Sequence, residues 1–434
     1  MRILIDPSSV HCLNLGDVAM LQVTVKRFRE FWPDAEIYVF NDSPGLLELY
    51  CPSAKPVPPL GRVSFYLTAA HLTRLGRRFS QPALSEFDVE WRHRQPKAVK
   101  QLVRWRGGAE NATALSSFLD LVGGCDLVVA SGAGQITTAF RGPSTLVLNT
   151  MEMAIQHGIP TAIFGQGIGP IDDACLRARA RKILPQVNLI CLRETVTGLK
   201  LLDSLGVPRE QVVVTGDDAI DTCYKLRPDQ PGTAIGVNLR ISWYSDIPRD
   251  LLETLRRPLQ QAASTLGAPL LSVPISRHPD EDDAEICRRL FEGYPLIGSP
   301  LNDLTLVEGM VQEIGRCRVV LTTSYHGAVF ALAQGIPVVA WVKSKYFAAK
   351  LDGLSNQFGV GCEVVALDEG NFEEHLRSAI VSAWQSTERV RPTLLQAAST
   401  QIAASKSAYE RVRRKIEGTT VSKQSLVSSA TRQS

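Results

Sequence analysis

Short apolar runs alternate with longer amphipathic segments along most of this 434-residue chain. In the first half, the apolar runs predict strands at Arg2–Asp6, Glu36–Phe40, Asp126–Ala130, Pro160–Phe164, Leu189–Leu192 and Val212–Thr215. The amphipathic segments between them predict helices at Asp17–Trp32, Ser144–His157, Ala174–Leu184 and Glu194–Leu205. Strands that alternate with helices in this way are typical of βα units and of a parallel sheet.

A charged stretch that is rich in proline interrupts the alternation near the middle of the chain. Residues 225–232 hold two prolines, a glycine and several charged side chains, which are typical of a linker between domains. After it, the same pattern predicts strands at Ala234–Asn238, Pro269–Val273, Val319–Thr322 and Pro337–Trp341, with helices at Ile247–Leu266, Asp280–Phe291 and Leu304–Cys317.

These elements predict an α/β protein of two doubly wound parallel-sheet domains that face a cleft. The N-terminal domain is expected at 1–228 and the C-terminal domain at 233–395. A helical stretch from about Phe372 ends in a C-terminal helix over 396–417, which we expect to return toward the first domain. The Ser/Thr-rich tail at 418–434 has few hydrophobic residues and is expected to be disordered.

The overall composition narrows the possible partners. Hydrophobic residues make up 44% and charged residues 21% of the chain, and the net charge of +3 is too small to indicate nucleic-acid binding. The first apolar run is too short for a signal peptide, and no run approaches the roughly 18 apolar residues of a transmembrane helix. We therefore expect a cytoplasmic protein. Its nine cysteines show no CxxC spacing and are expected to be reduced core residues.

Residues 61–110 depart from the alternation and carry much of the positive charge. They contain ten Lys or Arg and four acidic residues, a local charge of +6, with Phe65, Tyr66, Trp91 and Trp105 interleaved. One interpretation is a solvated helical insertion. The other is a basic, aromatic surface for anionic lipid or a phosphate-linked acceptor, which implies peripheral contact with the inner face of a membrane.

The strongest candidate for chemistry follows the predicted strand Val319–Thr322. A polar turn with Ser324, Tyr325 and His326 separates this strand from an apolar helix. In an open α/β sheet, ligands bind beyond the carboxyl ends of the strands, beside helix N-termini that attract anions. His326 is therefore a candidate for proton transfer, and the alternative is a histidine that only caps the turn.

Three further turns at predicted strand ends are candidate ligand sites. Asn14-Leu15-Gly16-Asp17 opens a helix, so capping is its alternative role. The other two are glycine-rich, Ser131-Gly132-Ala133-Gly134-Gln135 and Gly165-Gln166-Gly167-Ile168-Gly169-Pro170. Because glycine loops let backbone amides approach an anion, two in one domain indicate a phosphate or carboxylate ligand. The expected substrate contacts are Asn14, Gly16, Asp17, Gly132, Gly134, Gln166 and Gly167.

An arginine follows a predicted strand in each half of the chain. Arg193 comes directly after Leu192, and Arg240 comes two residues after Asn238. Arginine at such a position suits bidentate recognition of a carboxylate or phosphate. The alternatives are structural ion pairs, of Arg193 with an acid of its own helix and of Arg240 with Asp246.

Three other groups of polar residues each allow two interpretations. Asp217 and Asp218 could bind a divalent metal, but the favoured interpretation is that they form a turn and cap a helix. His278 suits an acceptor contact or a turn before a helix, and Lys343 and Lys345 suit a solvated loop or added positive charge. No cluster of ligands calls for a metal, and none is expected.

Several of these motifs form an ordered set with Leu192-Arg193-Glu194, Gly216-Asp217-Asp218-Ala219, Ser324-Tyr325-His326-Gly327 and Gly335-Ile336-Pro337. Over roughly residues 1–400, the set resembles the polysaccharide pyruvyl transferase family. The resemblance implies a two-domain fold similar to GT-B glycosyltransferases, and transfer of a pyruvyl group from phosphoenolpyruvate to a sugar as a ketal. It implies that His326 is catalytic and that Arg193 and Arg240 hold the donor. Ser324 and Tyr325, in the same turn as His326, are further expected substrate contacts. Some members have an arginine where this chain has Ser324.

The partners implied are phosphoenolpyruvate, as donor substrate without a separate cofactor, and a saccharide acceptor. The basic segment at 61–110 favours an acceptor that is lipid-linked. Two alternatives stay open, a nucleotide-sugar glycosyltransferase with the same layout and a non-catalytic protein that binds an anion or a sugar.

Overall fold

Two parallel sheets, one in each half of the chain, form the framework of the protein. The computed structural model describes residues 1–7, 9–67, 82–241, 251–279, 281–297, 306–343, 345–367 and 370–430. In these residues the N-terminal sheet has eight strands: β1 (Arg2–Asp6), β2 (Glu36–Phe40), β3 (Ala54–Val57), β4 (Leu127–Ala130), β5 (Ala133–Ile136), β6 (Thr161–Ile168), β7 (Leu189–Leu192) and β8 (Val212–Val214). The strands that follow are β9 (Ala234–Asn238), β10 (Leu270–Ser272), β11 (Arg277–His278), β12 (Glu281–Asp282), β13 (Leu296–Ile297), β14 (Cys317–Thr322), β15 (Val338–Val342) and β16 (Cys362–Ala366).

Helices connect the strands and cover the sheets. Those of the first half are α1 (Leu15–Phe31), α2 (Pro44–Tyr50), α3 (Leu60–Leu67), α4 (Pro82–Arg94), α5 (Pro96–Gly123), α6 (Arg141–Gln156), α7 (Ala174–Ile183), α8 (Gly198–Ser204) and α9 (Ala219–Lys225). Those of the second half are α10 (Leu251–Leu266), α11 (Asp283–Leu290), α12 (Val307–Gly315), α13 (Tyr325–Leu332), α14 (Lys345–Phe358) and α15 (Phe372–Ala430).

The strand order confirms the predicted doubly wound architecture. The N-terminal sheet runs β3-β2-β1-β4-β6-β7-β8, with β5 on β6, and the C-terminal sheet runs β13-β10-β9-β14-β15-β16. The order reverses between β1 and β4 in the first sheet and between β9 and β14 in the second. Crevices at such switch points, beyond the carboxyl ends of the strands, are where open α/β sheets bind ligands.

The prediction of two glycine-rich loops is wrong in one respect, because much of both stretches is strand. Strand β6 continues through Gly165, Gln166 and Gly167, and β5 begins at Ala133. The two pair in parallel, with Ala133 opposite Gln166 and Ile136 opposite Ile168. The glycines adopt an extended conformation instead of forming loops because their backbone N–H and C=O groups form hydrogen bonds with a partner strand.

The predicted return of the C-terminal helix to the first domain is confirmed. Helix α15 is longer than expected and extends to Ala430, through most of the tail for which disorder was predicted. Its Tyr409 ring stacks on Phe164 of β6, with centroids 3.7 Å apart. Both Tyr409 and Ser405 donate hydrogen bonds to the buried carboxylate of Asp218, at 2.8 and 2.5 Å. This polar contact and the stacked rings fasten the helix to the N-terminal sheet.

The basic segment 61–110 forms parts of α3, α4 and α5, as a helical insertion predicts. Several residues expected on its surface are buried instead. Phe65 and Tyr66 are core residues, Arg62 pairs with Asp6 at the end of β1, and Arg92 bonds to Asp88 at 2.8 Å. The basic residues at 74, 77 and 78 lie outside the described residues. Local charge and aromatic content alone do not separate such buried groups from exposed ones.

The cysteines occupy the core, as expected. All nine lie in the described parts of the chain and are unpaired thiols, and eight of them are buried. Within those parts, no helix combines the length and the hydropathy needed to cross a bilayer.

Candidate active site

The switch points of the two sheets meet across the cleft. The loop after β1 pairs with the loop after β10, since Leu15 N–H donates to the Ile275 carbonyl at 3.0 Å and Arg277 N–H donates to Leu13 at 2.8 Å. The first turn of α1 then contacts the first turn of α13. A Cβ on Gly16 would lie only 2.0 Å from Cγ of His326, so glycine at this position is required for the imidazole to occupy its place.

His326 lies between two carboxylates from the opposite domain. Its Nδ1 is 3.9 Å from Oδ1 of Asp17, and its Nε2 is 3.6 Å from Oδ2 of Asp217. The residue is 7% exposed, and neither Nε2 nor Asp217 Oδ2 has a hydrogen-bond partner among the described residues. A buried polar atom without a partner costs about 1–3 kcal/mol. Two such atoms facing each other are typical of a site that a ligand completes.

Arg193 reaches the same place from the end of β7. Its Nη1 is 3.6 Å from Asp217 Oδ2, and its guanidinium lies 3.8 Å from the centroid of the Tyr325 ring. A Cβ on Gly134 would lie 2.7 Å from Nη2, and one on Gly167 would lie 3.0 Å from Nε. The glycines of β5 and β6 therefore leave room for the guanidinium, and Tyr325 holds its plane.

Lys350 of α14 is a member of the site that the sequence analysis missed. Its Nζ would lie 2.9 Å from a Cβ on Gly134, next to the Arg193 guanidinium. Burial lowers the pKa of Lys350 well below its ordinary value, and the like charges of Arg193 and Arg240 lower it further, whereas Asp17 and Glu194 oppose them. The cleft thus holds basic side chains, Arg193 and Lys350 with Arg240 nearby, beside a histidine and two carboxylates.

The sequence and the fold were compared with those of known proteins. A family model described as "Polysaccharide pyruvyl transferase" matches residues 14–342. The chain belongs to this family. Membership identifies it as a transferase and confirms the resemblance of the ordered motifs. No significant match is found among curated proteins.

Solved structures with similar folds include nucleotide-sugar enzymes. A UDP-GlcNAc 2-epimerase from Neisseria meningitidis bound to UDP-GlcNAc has a TM-score of 0.55 and 10% identity, with 94% of this chain and 99% of that chain covered. A glycosyltransferase from Rickettsia africae has a TM-score of 0.52 and 11% identity over 96% and 98% of the two chains. The S. aureus MnaA–UDP structure has a TM-score of 0.52 and 14% identity, with coverage of 93% on both sides. At these identities the likeness shows the fold alone, which is the expected GT-B-like pair of domains.

In this pyruvyl transferase family member, five of the predicted site residues converge around Arg193 and His326. They are Gly16, Asp17, Gly134, Gly167 and Tyr325. The interpretation of Arg193 as the partner of an acid in its own helix is wrong, because its carboxylate neighbour is Asp217. Glu194 instead accepts N–H bonds from residues 196–198, which explains why α8 begins four residues later than predicted.

Other predicted contacts have structural roles in addition to their place near the cleft. Asn14 caps α1 through N–H bonds from Gly16 and Asp17, and Ser324 caps α13 through Gly327. Gln166 is fully buried and donates to the Ser131 carbonyl at 3.3 Å. Gly132 lies against α1, since a Cβ there would be 2.3 Å from the sulfur of Met20.

The remaining candidates have other surroundings, except that Asp217 lies beside His326 as described above. Arg240 is half-buried, its N–H donates to Thr323 Oγ1 at 2.7 Å, and Asp246, its suggested partner, lies outside the described residues. Asp217 and Asp218 face different partners, as a turn and cap predict, because Asp217 Oδ1 accepts from Ala219 N–H at 2.9 Å. The ring of His278 is 6.4 Å from that of His11. Lys343 is exposed, and the side chain of Lys345 lies outside the described residues.

Lys350 should react with an amine-directed acylating reagent at lower pH than Lys343 does. A pKa below the ordinary value leaves more of its amine unprotonated near neutral pH, and only that form is nucleophilic. Brief labelling with acetic anhydride across a pH series, followed by peptide mass spectrometry, measures both lysines in one sample. Lys343 is exposed and Lys350 is half-buried, so accessibility alone would make Lys343 react first. Labelling of Lys343 first at every pH would contradict it.

Proposed function

We propose that the protein transfers a pyruvyl group from phosphoenolpyruvate to two hydroxyls of a sugar, forming a ketal and releasing phosphate. The observation that carries the proposal is the position of Arg193 and Lys350, both against Gly134 and next to the His326–Asp217 pair. Phosphoenolpyruvate has a carboxylate and a phosphate on a three-carbon frame. Two adjacent basic side chains, with Arg240 close enough to affect the pKa of Lys350, match such a compact polyanion.

His326 is the proton-transfer group in this proposal. The reaction begins with protonation of the donor's methylene carbon, which leaves an oxocarbenium-like centre on the adjacent carbon. A sugar hydroxyl attacks that carbon and loses its proton, and phosphate leaves with the electrons of the C–O bond. A second hydroxyl then attacks the same carbon, loses its proton to the departing phosphate and closes the ring. His326 can give a proton and take one back, and Asp217 Oδ2 lies 3.6 Å from its Nε2.

Arg193 serves as the main donor-binding residue. Its guanidinium lies over the Tyr325 ring and beside Asp217, so its position is restricted before a ligand binds. A positioned guanidinium presents two N–H groups to a carboxylate or phosphate without losing further side-chain freedom. Lys350, on a flexible stem, supplies the second cation when the donor binds, because the negative charge of the donor favours the protonated amine.

We propose that the acceptor is a sugar of a polysaccharide or of its lipid-linked precursor, and that the protein works in the cytoplasm. A lipid-linked acceptor is supported by where the basic helical segment is anchored. Arg62 of α3 pairs with Asp6 at the carboxyl end of β1, and this is the edge of the sheet at which the candidate site lies.

Thermal unfolding with candidate ligands tests the donor. Phosphoenolpyruvate at about 100 times its Kd should add roughly 2.7 kcal/mol to the free energy of unfolding, because it binds only the folded protein. UDP- and GDP-sugars are measured at the same concentrations. Stabilisation by phosphoenolpyruvate supports this compound as the donor. Release of one phosphate for each ketal formed on a saccharide acceptor would demonstrate the transfer reaction. Stabilisation by a nucleotide sugar alone, with transfer of its glycosyl group, would replace the proposal with a glycosyltransferase.

A further inference from the structure

The N-terminal arm of α5, residues 96–107, exposes apolar and basic side chains side by side. Trp105 is 76% exposed and Leu102 is 41% exposed. Residues 96–107 include four Lys or Arg and no acidic residue. At Gly108 the backbone leaves helical geometry, with φ 83° and ψ 179°, so the arm is a helical segment distinct from the rest of α5.

The helical spacing sorts these side chains into adjoining stripes. Lys97, Lys100 and Arg104 follow one another at intervals of three and four residues, so they share one side of the helix. Leu102 and Trp105, three residues apart, form a second stripe, which Gln101 separates from the cations. The buried residues Val99 and Val103 mark the opposite side, which packs against the domain. The exposed side therefore carries a cationic stripe and an apolar stripe, with Gln101 between them.

These cations are not used within the protein. None of Lys97, Lys100 and Arg104 forms an ion pair with a residue in the described ranges, whereas Arg62 and Arg92 of the same basic region are buried in such pairs. The Arg106 guanidinium lies 5.1 Å from the centroid of the Trp105 ring and leaves one edge of the indole exposed. Exposed, uncompensated charge with a large exposed aromatic side chain indicates a partner that is both anionic and apolar.

We propose that this arm of α5 docks the protein onto an anionic phospholipid membrane. Tryptophan is favoured at the boundary between headgroups and acyl chains, where its ring is amphipathic, and leucine adds buried apolar area. Lysine and arginine beside them are attracted to anionic headgroups. A second copy of this chain is a poorer match, because the arm would bring its own cations against one another. The proposal concerns a surface outside the candidate active site and does not depend on the identity of the donor.

Co-sedimentation of the full-length protein with vesicles tests the proposal. One set of vesicles is phosphatidylcholine alone, and the other is an equimolar mixture of phosphatidylcholine and phosphatidylglycerol. We expect binding to the anionic vesicles only, and weaker binding as salt is raised. The variant Lys97→Gln/Lys100→Gln/Arg104→Gln should bind about 100-fold more weakly, since each basic residue near the surface contributes about fivefold. A matched control, Lys200→Gln/Lys406→Gln/Arg414→Gln, removes the same charge from exposed positions elsewhere.

The apolar part of the surface has its own variant. Leu102→Ala/Trp105→Ala should weaken binding to the anionic vesicles and leave its salt dependence unchanged, whereas Leu49→Ala, at an exposed leucine of α2, should have no effect. The five substituted positions of the arm are exposed, as are the control positions elsewhere in the chain. Circular dichroism should therefore show that every variant is folded. Absence of wild-type binding to anionic vesicles would overturn the proposal, and so would an equal loss in the charge-matched control. A wild-type dimer that Leu102→Ala/Trp105→Ala dissociates, without vesicle binding, would assign the face to self-association instead.

Discussion

Replacing His326 with alanine should lower kcat by at least about 100-fold while phosphoenolpyruvate still binds. The expected loss is the contribution of a positioned proton-transfer group, which is typically 10²–10⁴-fold. The donor should still bind because Arg193 and Lys350, which lie on other elements, keep their places against Gly134. Steady-state kinetics with phosphoenolpyruvate and a saccharide acceptor measure kcat, and thermal unfolding with phosphoenolpyruvate measures binding.

Added imidazole separates a chemical role of His326 from a structural one. The alanine variant leaves a space beside Gly16 and Asp217 that a free imidazole molecule can fill. Partial recovery of kcat with added imidazole would identify proton transfer as the lost function, because a misfolded site would not recover. His157→Ala, at an exposed histidine, serves as the matched control and should leave kcat unchanged. A wild-type kcat in the His326 variant would remove this residue from the mechanism.

Replacing Arg193 with alanine should raise the KM for phosphoenolpyruvate by about 100-fold or more. Truncating one partner of a buried, hydrogen-bonded charge pair costs roughly 2–5 kcal/mol, and each 1.4 kcal/mol is tenfold in affinity. The substitution removes the guanidinium that faces Gly134 and Gly167 and also leaves Asp217 without its neighbouring cation. Donor kinetics and the stabilisation by phosphoenolpyruvate should therefore both change.

A conservative variant keeps this prediction testable if alanine disturbs folding. Arg193→Lys retains the charge but loses the planar stacking on Tyr325 and the two-pronged donor geometry, so we expect an intermediate KM. Arg181→Ala removes an exposed arginine of α7 and should change neither KM nor kcat. An unchanged donor KM in folded Arg193→Ala would place phosphoenolpyruvate elsewhere.

Much of the fold could be predicted because its strands are short, continuous apolar runs. The bounds of β1, β2, β7 and β9 agree with the predicted ones, since each run ends at a polar or turn-forming residue. The first residue of a helix was harder to predict where a side chain binds the backbone N–H groups ahead of the helix. Glu194, for example, binds the backbone N–H groups ahead of α8 and delays the helix.

The site residues that could be predicted from the sequence are those in the segments that follow predicted strands. Arg193 comes directly after β7, whereas His326 and Gly16 lie in the first turns of the helices that follow β14 and β1. Parallel strands bring such positions to one edge of a sheet. Lys350 carries no comparable signal. It lies inside α14, one position before the buried Leu351, and only the approach of α14 to Gly134 brings it into the cleft.

The sequence by itself determined the α/β alternation, the turns that carry the chemistry and the family, because these depend on local pattern and ordered motifs. Only the tertiary structure decided which polar groups meet. Asp217 faces His326 and Arg193 while its neighbour Asp218 binds α15, and Arg62 is buried while Lys97, Lys100 and Arg104 face outward. The physical reason is that burial and pairing of a charged side chain depend on elements distant in sequence, and no local pattern records their approach.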